Sequence, residues 1–156
     1  MINKNENLAQ PITGIHYLYP DTPLSIVDGD DKFHKKIYLP DDVSFNEIYF
    51  TPGTGKFTES DKDDNAGIFI EQELKCVIPG EDDGTPESID AIRDRPLLIK
   101  ISFQNSTSKL VGLKENPVRL LRKQQITEKI NASELTFTCN SLASAWWISY
   151  EGPVEL

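Results

Sequence analysis

Between residues 68 and 78 apolar and polar side chains alternate: Ile68, Ile70, Leu74, Cys76 and Ile78 share one register, and Glu71, Glu73 and Lys75 share the other. A period of two is that of a β-strand with one buried and one wet face, because successive side chains point to opposite sides of a pleated backbone. The pattern recurs downstream. Leu97, Ile99, Ile101 and Phe103 alternate with Leu98, Lys100 and Ser102, and a polar turn at residues 104–108 leads back through Leu110, Val111 and Leu113, which predicts a hairpin. Leu135, Phe137 and Cys139 predict another strand, and residues 146–150 predict the last.

The first third of the chain is more broken. Ile15, Tyr17 and Tyr19 share a register in a segment interrupted at Pro20, Asp21 and Pro23, and short strands are predicted at 36–39 and 47–50. A turn at residues 28–31 precedes the first of these, and Thr51, Pro52, Gly53, Thr54 and Gly55 close the second. One short helix is predicted over 86–94, with Thr85 as N-cap, Pro86 at its first position and Ile89 and Ile92 on one side, stopped by Arg95 and Pro96. Asn116 and Pro117 either cap a helix with Arg119, Arg122 and Lys123 along one side or open a strand at 118–121; the β pattern around them favours the strand. The expected fold is mainly β, an antiparallel sandwich or partly open barrel with one short flanking helix. Residues 1–10 are expected to be a mobile N-terminal arm, and residues 11–156 a single β-rich domain with no repeat or linker.

Composition supports the turn-rich reading: ten prolines and nine glycines in 156 residues fall in small clusters between the apolar runs. The N-terminus has no apolar core of a leader peptide and no stretch approaches the length of a membrane span, so a soluble, non-secreted protein with no membrane partner is expected. Cys76 and Cys139 lie in apolar register and read as buried, reduced thiols.

Charge changes the picture more. Residues 57–94 hold twelve Asp/Glu against three Lys/Arg, and residues 95–132 hold eight Lys/Arg against two Asp/Glu, within a chain of net charge −9. The overall acidity makes nucleic acid an unlikely partner, since phosphate contacts need clustered Lys and Arg. A molecule with an acidic and a basic surface can nevertheless attract its own copies head to tail. The candidate interface pairs Arg119, Arg122 and Lys123 of one copy with Asp61, Asp63, Asp64 or with Glu81, Asp82 and Asp83 of the next, and Trp146 or Trp147 would add apolar contact. Adjacent on a strand, the two tryptophans point to opposite faces, so they cannot both enter one core.

No catalytic motif accompanies this pattern. Gly53, Thr54, Gly55 and Lys56 resemble the end of a phosphate loop, but Phe50 and Phe57 stand where a glycine and a Ser/Thr are required, which leaves a turn. Asp61, Asp63 and Asn65 fit the first positions of a calcium loop, but Ala66 replaces its glycine and Gln72 its bidentate glutamate, which leaves a solvated acidic loop. His16 and His34 lack zinc-site spacing, and no Gly-x-Ser-x-Gly elbow is present. No catalytic residue, metal site or cofactor is predicted, and an enzyme is disfavoured.

From Gly67 to Leu121 the chain runs through a Gly-led strand with Gln72 and Leu74, an acidic Gly/Pro loop, a short helix, then Arg95, Pro96, Leu97, Leu98 and Ile99, a polar turn, Leu110, Val111, Gly112 and Leu113, and Asn116, Pro117, Val118, Arg119 and Leu120. In this order of features it resembles small structural proteins of tailed bacteriophages and prophages, of the tail-tube, tail-terminator or connector type. This resemblance implies a β-sandwich flanked by a helix that assembles into rings or tubes, with other virion proteins as partners, located in the virion and in the host cytoplasm during assembly. The alternative expectation is a monomeric cytoplasmic β-domain that binds a protein or a small ligand.

Overall fold

Apolar residues that recur every second position must find a second layer, and here two β-sheets supply each other's. The computed structural model describes residues 10–29, 31–80 and 87–150; the expected N-terminal arm and the acidic residues Glu81, Asp82 and Asp83 lie outside them, apart from Gln10. In chain order the elements are β1 (Ile12–Leu18), β2 (Ser25–Asp28), β3 (His34–Tyr38), β4 (Asn46–Ile48), β5 (Lys56–Asp64), β6 (Gly67–Pro79), α1 (Glu87–Ile92), β7 (Leu98–Phe103), β8 (Ser108–Val111), β9 (Arg119–Ile126), β10 (Asn131–Ser141) and β11 (Trp146–Tyr150). A seven-stranded sheet runs β2-β3-β11-β8-β7-β1-β4 and a four-stranded sheet runs β5-β6-β10-β9. The fold is thus mainly β, with two sheets, one short helix and no closed barrel among the described residues. Every pairing is antiparallel except that of β11 with β3.

The alternating positions meet between the sheets. Leu74, Cys76 and Ile78 of β6 and Leu135, Phe137 and Cys139 of β10 pack against Ile15, Ile99, Ile101 and Val111 of the larger sheet. Ile89 and Ile92 bring the helix into the same core. The other face of the larger sheet carries a smaller cluster of Leu18, Ile37, Leu39, Leu98 and Leu110, covered by Leu24, Val43 and Phe45 from its loops. That second cluster explains why Leu97, Leu98 and Ile99 are all buried in succession: a strand covered on both faces loses its alternation. Reciprocal hydrogen bonds between Leu97 and Val118, at 2.9 and 2.8 Å, join the two sheets at the entries to β7 and β9.

Two sequence expectations change, and an alternative left open is resolved. Asp61 and Asp63, expected in a solvated acidic loop, belong to a nine-residue strand, β5, paired along its length with β6. Residues 119–126 form a strand, the alternative that the surrounding β pattern favoured, so Arg119, Arg122 and Lys123 do not line one side as a helix would align them. Ile68 keeps the core-facing register of β6 but is 69% exposed, because β10 pairs with β6 only as far as Ile70 and the β5–β6 hairpin runs on beyond it.

Candidate assembly interface

The four-stranded sheet ends in two free edges of opposite charge. Among the described residues, β5 pairs only with β6 and β9 only with β10, so the outer N–H and C=O groups of both strands meet no other strand. β9 carries Arg119, Arg122 and Lys123 and no acid, while β5 carries Glu59, Asp61, Asp63 and Asp64 against Lys56 and Lys62. Such edges are ordinarily protected by bulges, prolines, brevity or charged side chains, and of these β5 and β9 carry only the charges. β9 has eight residues, no proline and an uninterrupted register against β10, and it exposes Leu121 (63%) and Ile126 (68%).

Pairing registers resolve the charges by face. Leu120 lies opposite Phe137 and Arg122 opposite Leu135, so Arg122 is on the side of the sheet that faces the core. Arg119, Leu121 and Lys123, opposite Thr138, Thr136 and Glu134, are on the outer side. On β5, Phe57, Glu59, Asp61 and Asp63 lie opposite Leu74, Gln72, Ile70 and Ile68 on the core-facing side, while Lys62 and Asp64 lie on the outer side. Asp61 and Asp63 are two positions apart on an extended strand, about 7 Å along it, and do not converge as they would in a calcium loop. Among the described residues no group of three or more His, Cys, Asp or Glu could hold a metal ion. No helix among them is long and apolar enough to cross a membrane.

The two hairpins that end these edges lie at opposite ends of the sheet. The β5–β6 ladder runs past the end of β10 through Lys62–Phe69 and Asp63–Ile68 to Asp64–Gly67. At the other end, the β9–β10 ladder reaches Ile126–Asn131, beyond the last β6 pair of Pro79 with Ala132. The acidic tip and the basic edge are therefore diagonal to each other, and neither can neutralise the other within one molecule.

The tryptophans are not placed as free anchors. Trp146 lies opposite Leu110 and Trp147 opposite Lys109, on opposite faces as their adjacency requires, and both are half-buried. Trp147 packs on Phe103 with ring centroids 5.7 Å apart and lies 4.5 Å from the Lys109 ammonium. Lys35 covers Trp146 at 5.1 Å. A cation over an aromatic face is held by the ring quadrupole, so each indole already has an intramolecular partner.

Sequence reasoning missed β5 as an edge, although a signal was present: acids at 59, 61 and 63 repeat every second residue, the period of a strand. It also missed a hollow of about 510 Å³ beside β4, lined by Ile12, Tyr49, Phe50, Pro52 and Gln104. Gly53 lies in a turn at φ 83°, with the Thr54 N–H donating to the Thr51 carbonyl, and Lys56 already opens β5. Cys76 and Cys139 are free and buried. Comparison of the chain with protein-family models, curated proteins and solved structures returned no match.

Proposed function

We propose that this chain is a structural protein of a tailed-bacteriophage or prophage particle, a tail or connector component that associates head to tail into rings or tubes. Its work is done by its surface, without catalysis, in the virion and, during assembly, in the host cytoplasm beside other virion proteins. The observation that supports this reading is a pair of sheet edges that no described strand covers, one basic and one acidic, on opposite sides of the same four-stranded sheet. Two unlike surfaces that attract each other make a heterologous contact, which propagates until it closes into a ring or continues as a tube. Like surfaces repel, so pairing β9 with β9 or β5 with β5 is disfavoured.

Size-exclusion chromatography with light scattering at low ionic strength tests the reading. The expected result is a defined oligomer, lost without loss of the β-type circular dichroism spectrum when Arg119, Arg122 and Lys123 are all changed to Glu. A protein that stays monomeric at every concentration overturns it. That outcome favours the second reading, a monomeric β-domain binding a ligand, for which the hollow beside Tyr49 is the supporting observation.

A further inference from the structure

The free edges carry enough detail to fix how two copies meet. We infer that β9 of one copy pairs antiparallel with β5 of the next, with Arg122 opposite Asp61 and Arg119 opposite Asp64, so that the four-stranded sheet continues from molecule to molecule. The inference rests on the assembly reading above and adds to it a direction, a register and a stagger.

Direction follows from topology. Each neighbouring pair in the order β5-β6-β10-β9 is antiparallel, so β5 and β9 run in opposite senses. A β5 strand brought beside β9 therefore extends the alternation with no reversal of the molecule. Main-chain hydrogen bonds along a free edge supply affinity that does not depend on long, mobile side chains.

Register follows from length, face and charge together. A slip of one residue would turn the core-facing side of one strand to the outer side of its neighbour, so only slips of two preserve both faces. The alignment with Arg122 opposite Asp61 uses all eight residues of β9, matched to residues 57–64 of β5. On the core-facing side it sets Leu120 against Asp63, Gln124 against Glu59 and Ile126 against Phe57; on the outer side it sets Arg119 against Asp64, Leu121 against Lys62 and Lys123 against Ser60. No like charges oppose each other. Moving two residues one way puts Arg119 opposite Lys62, and two the other way puts Lys123 opposite Lys62; like charges directly across a ladder destabilise it. Both slips also leave part of β9 unpaired.

The stagger is then determined. Arg122 is level with Cys76 of β6 through Leu135, whereas Asp61 is level with Ile70, so each copy is displaced by six residues relative to the last. Six residues are about 20 Å along the strands, against a width of about 19 Å for four strands, which tilts the strands by about 45°. That is at the upper end of the tilt, about 35–45°, at which sheets close into barrels. The contact accordingly favours a closed ring over a flat tape.

Cysteine pairs test the register in the full chain. With Leu121→Cys and Lys62→Cys together, mild oxidation should give a ladder of disulfide-linked oligomers that stops at one size, because each interface then carries one bridge. Either single variant should give no species beyond a dimer. The pair Leu121→Cys and Asp64→Cys, two residues out of register, should give no ladder. Arg122→Glu should abolish the oligomer and adding Asp61→Arg should restore it. A ladder of equal strength from the out-of-register pair, or failure of the charge exchange to restore assembly, overturns the register while wild-type assembly stands. A ladder with no limiting size overturns ring closure. A wild-type chain that does not associate overturns both this inference and the assembly reading.

Discussion

Ala145 donates its backbone N–H to the Glu59 carboxylate at 2.9 Å, a contact that spans 86 residues and ties the acidic edge strand to the turn before β11. Glu59 shares the core-facing side of β5 with Asp61 and Asp63, and its bond reaches a distant segment, whereas Asp64 accepts from Ala66 only two residues away. Removing the Glu59 acceptor leaves a part-buried N–H without its bond. Glu59→Ala should therefore lower unfolding free energy by about 1–2 kcal/mol, and Glu59→Gln, which keeps an acceptor oxygen, should recover most of it. Urea denaturation followed by tryptophan fluorescence measures both. Equal losses from Ala and Gln would mean that the bond does not hold the edge.

His16 gives stability a pH dependence near neutrality. It lies between Lys100 on β7 and Glu47 on β4, and its Nδ1 is buried with no hydrogen-bond partner among the described residues. Burial, and then the Lys100 charge, lower its pKa below 6.5, while Glu47 partly opposes them. The folded chain therefore binds this proton less readily than the unfolded chain. Stability is full above pH 6.5 and falls as pH drops through and below that value. Urea midpoints at about pH 7 and about pH 5.5 should differ in wild type and converge in His16→Gln; an unchanged slope in the variant would assign the effect elsewhere.

Cys76 titrates in the opposite sense. Burial against Leu135 and its core neighbours pushes its thiol up to about 12 from 9.0. The folded chain holds this proton after the unfolded chain has lost it, so stability is full below pH 9.0 and declines as pH rises from there towards about 12. Native alkylation near neutral pH should accordingly be slow at Cys76 and Cys139 and become fast in denaturant, as counted by mass spectrometry. Rapid native labelling of either thiol would contradict their burial.

Ionic strength should act on association more than on folding. The charged pairs proposed between copies lie at the edges of the sheet in contact with water, where screening is strongest; the Debye length shortens from about 30 Å at 0.01 M salt to about 10 Å at 0.1 M. The rate of assembly by light scattering should fall over that range while the thermal midpoint of the subunit barely moves. A rate independent of salt would leave the charge asymmetry without a role in steering.

Much of the sandwich is legible in the chain itself. β6, β7 and β10 each alternate, and their apolar registers meet in one core because a strand with one apolar face must cover it locally or across a layer. The helix around Ile89 and Ile92 is legible for a similar reason, its two apolar residues falling on one side three positions apart; the expected cap at Thr85 and Pro86 lies outside the described residues. The conformations of these segments are set by neighbours in sequence and by burial alone.

The edges were decided elsewhere. β5 contains one apolar residue, Phe57, and is a strand because the N–H and C=O groups of β6 need partners along their length, a demand that arises from residues 67–75 and not from β5. Arg119, Arg122 and Lys123 read as one basic cluster in the sequence, yet the strand's pleat divides them between two faces. Trp146 and Trp147 offer themselves as interface anchors until Phe103, Lys109 and Lys35, distant in sequence, occupy them. Local alternation accounts for the burial along the strongest strands, and residue order alone for how charge is divided along the chain. Which strands lie at the edges, and which charges they present together, depends on hydrogen bonds between segments far apart, a relationship that no local pattern encodes.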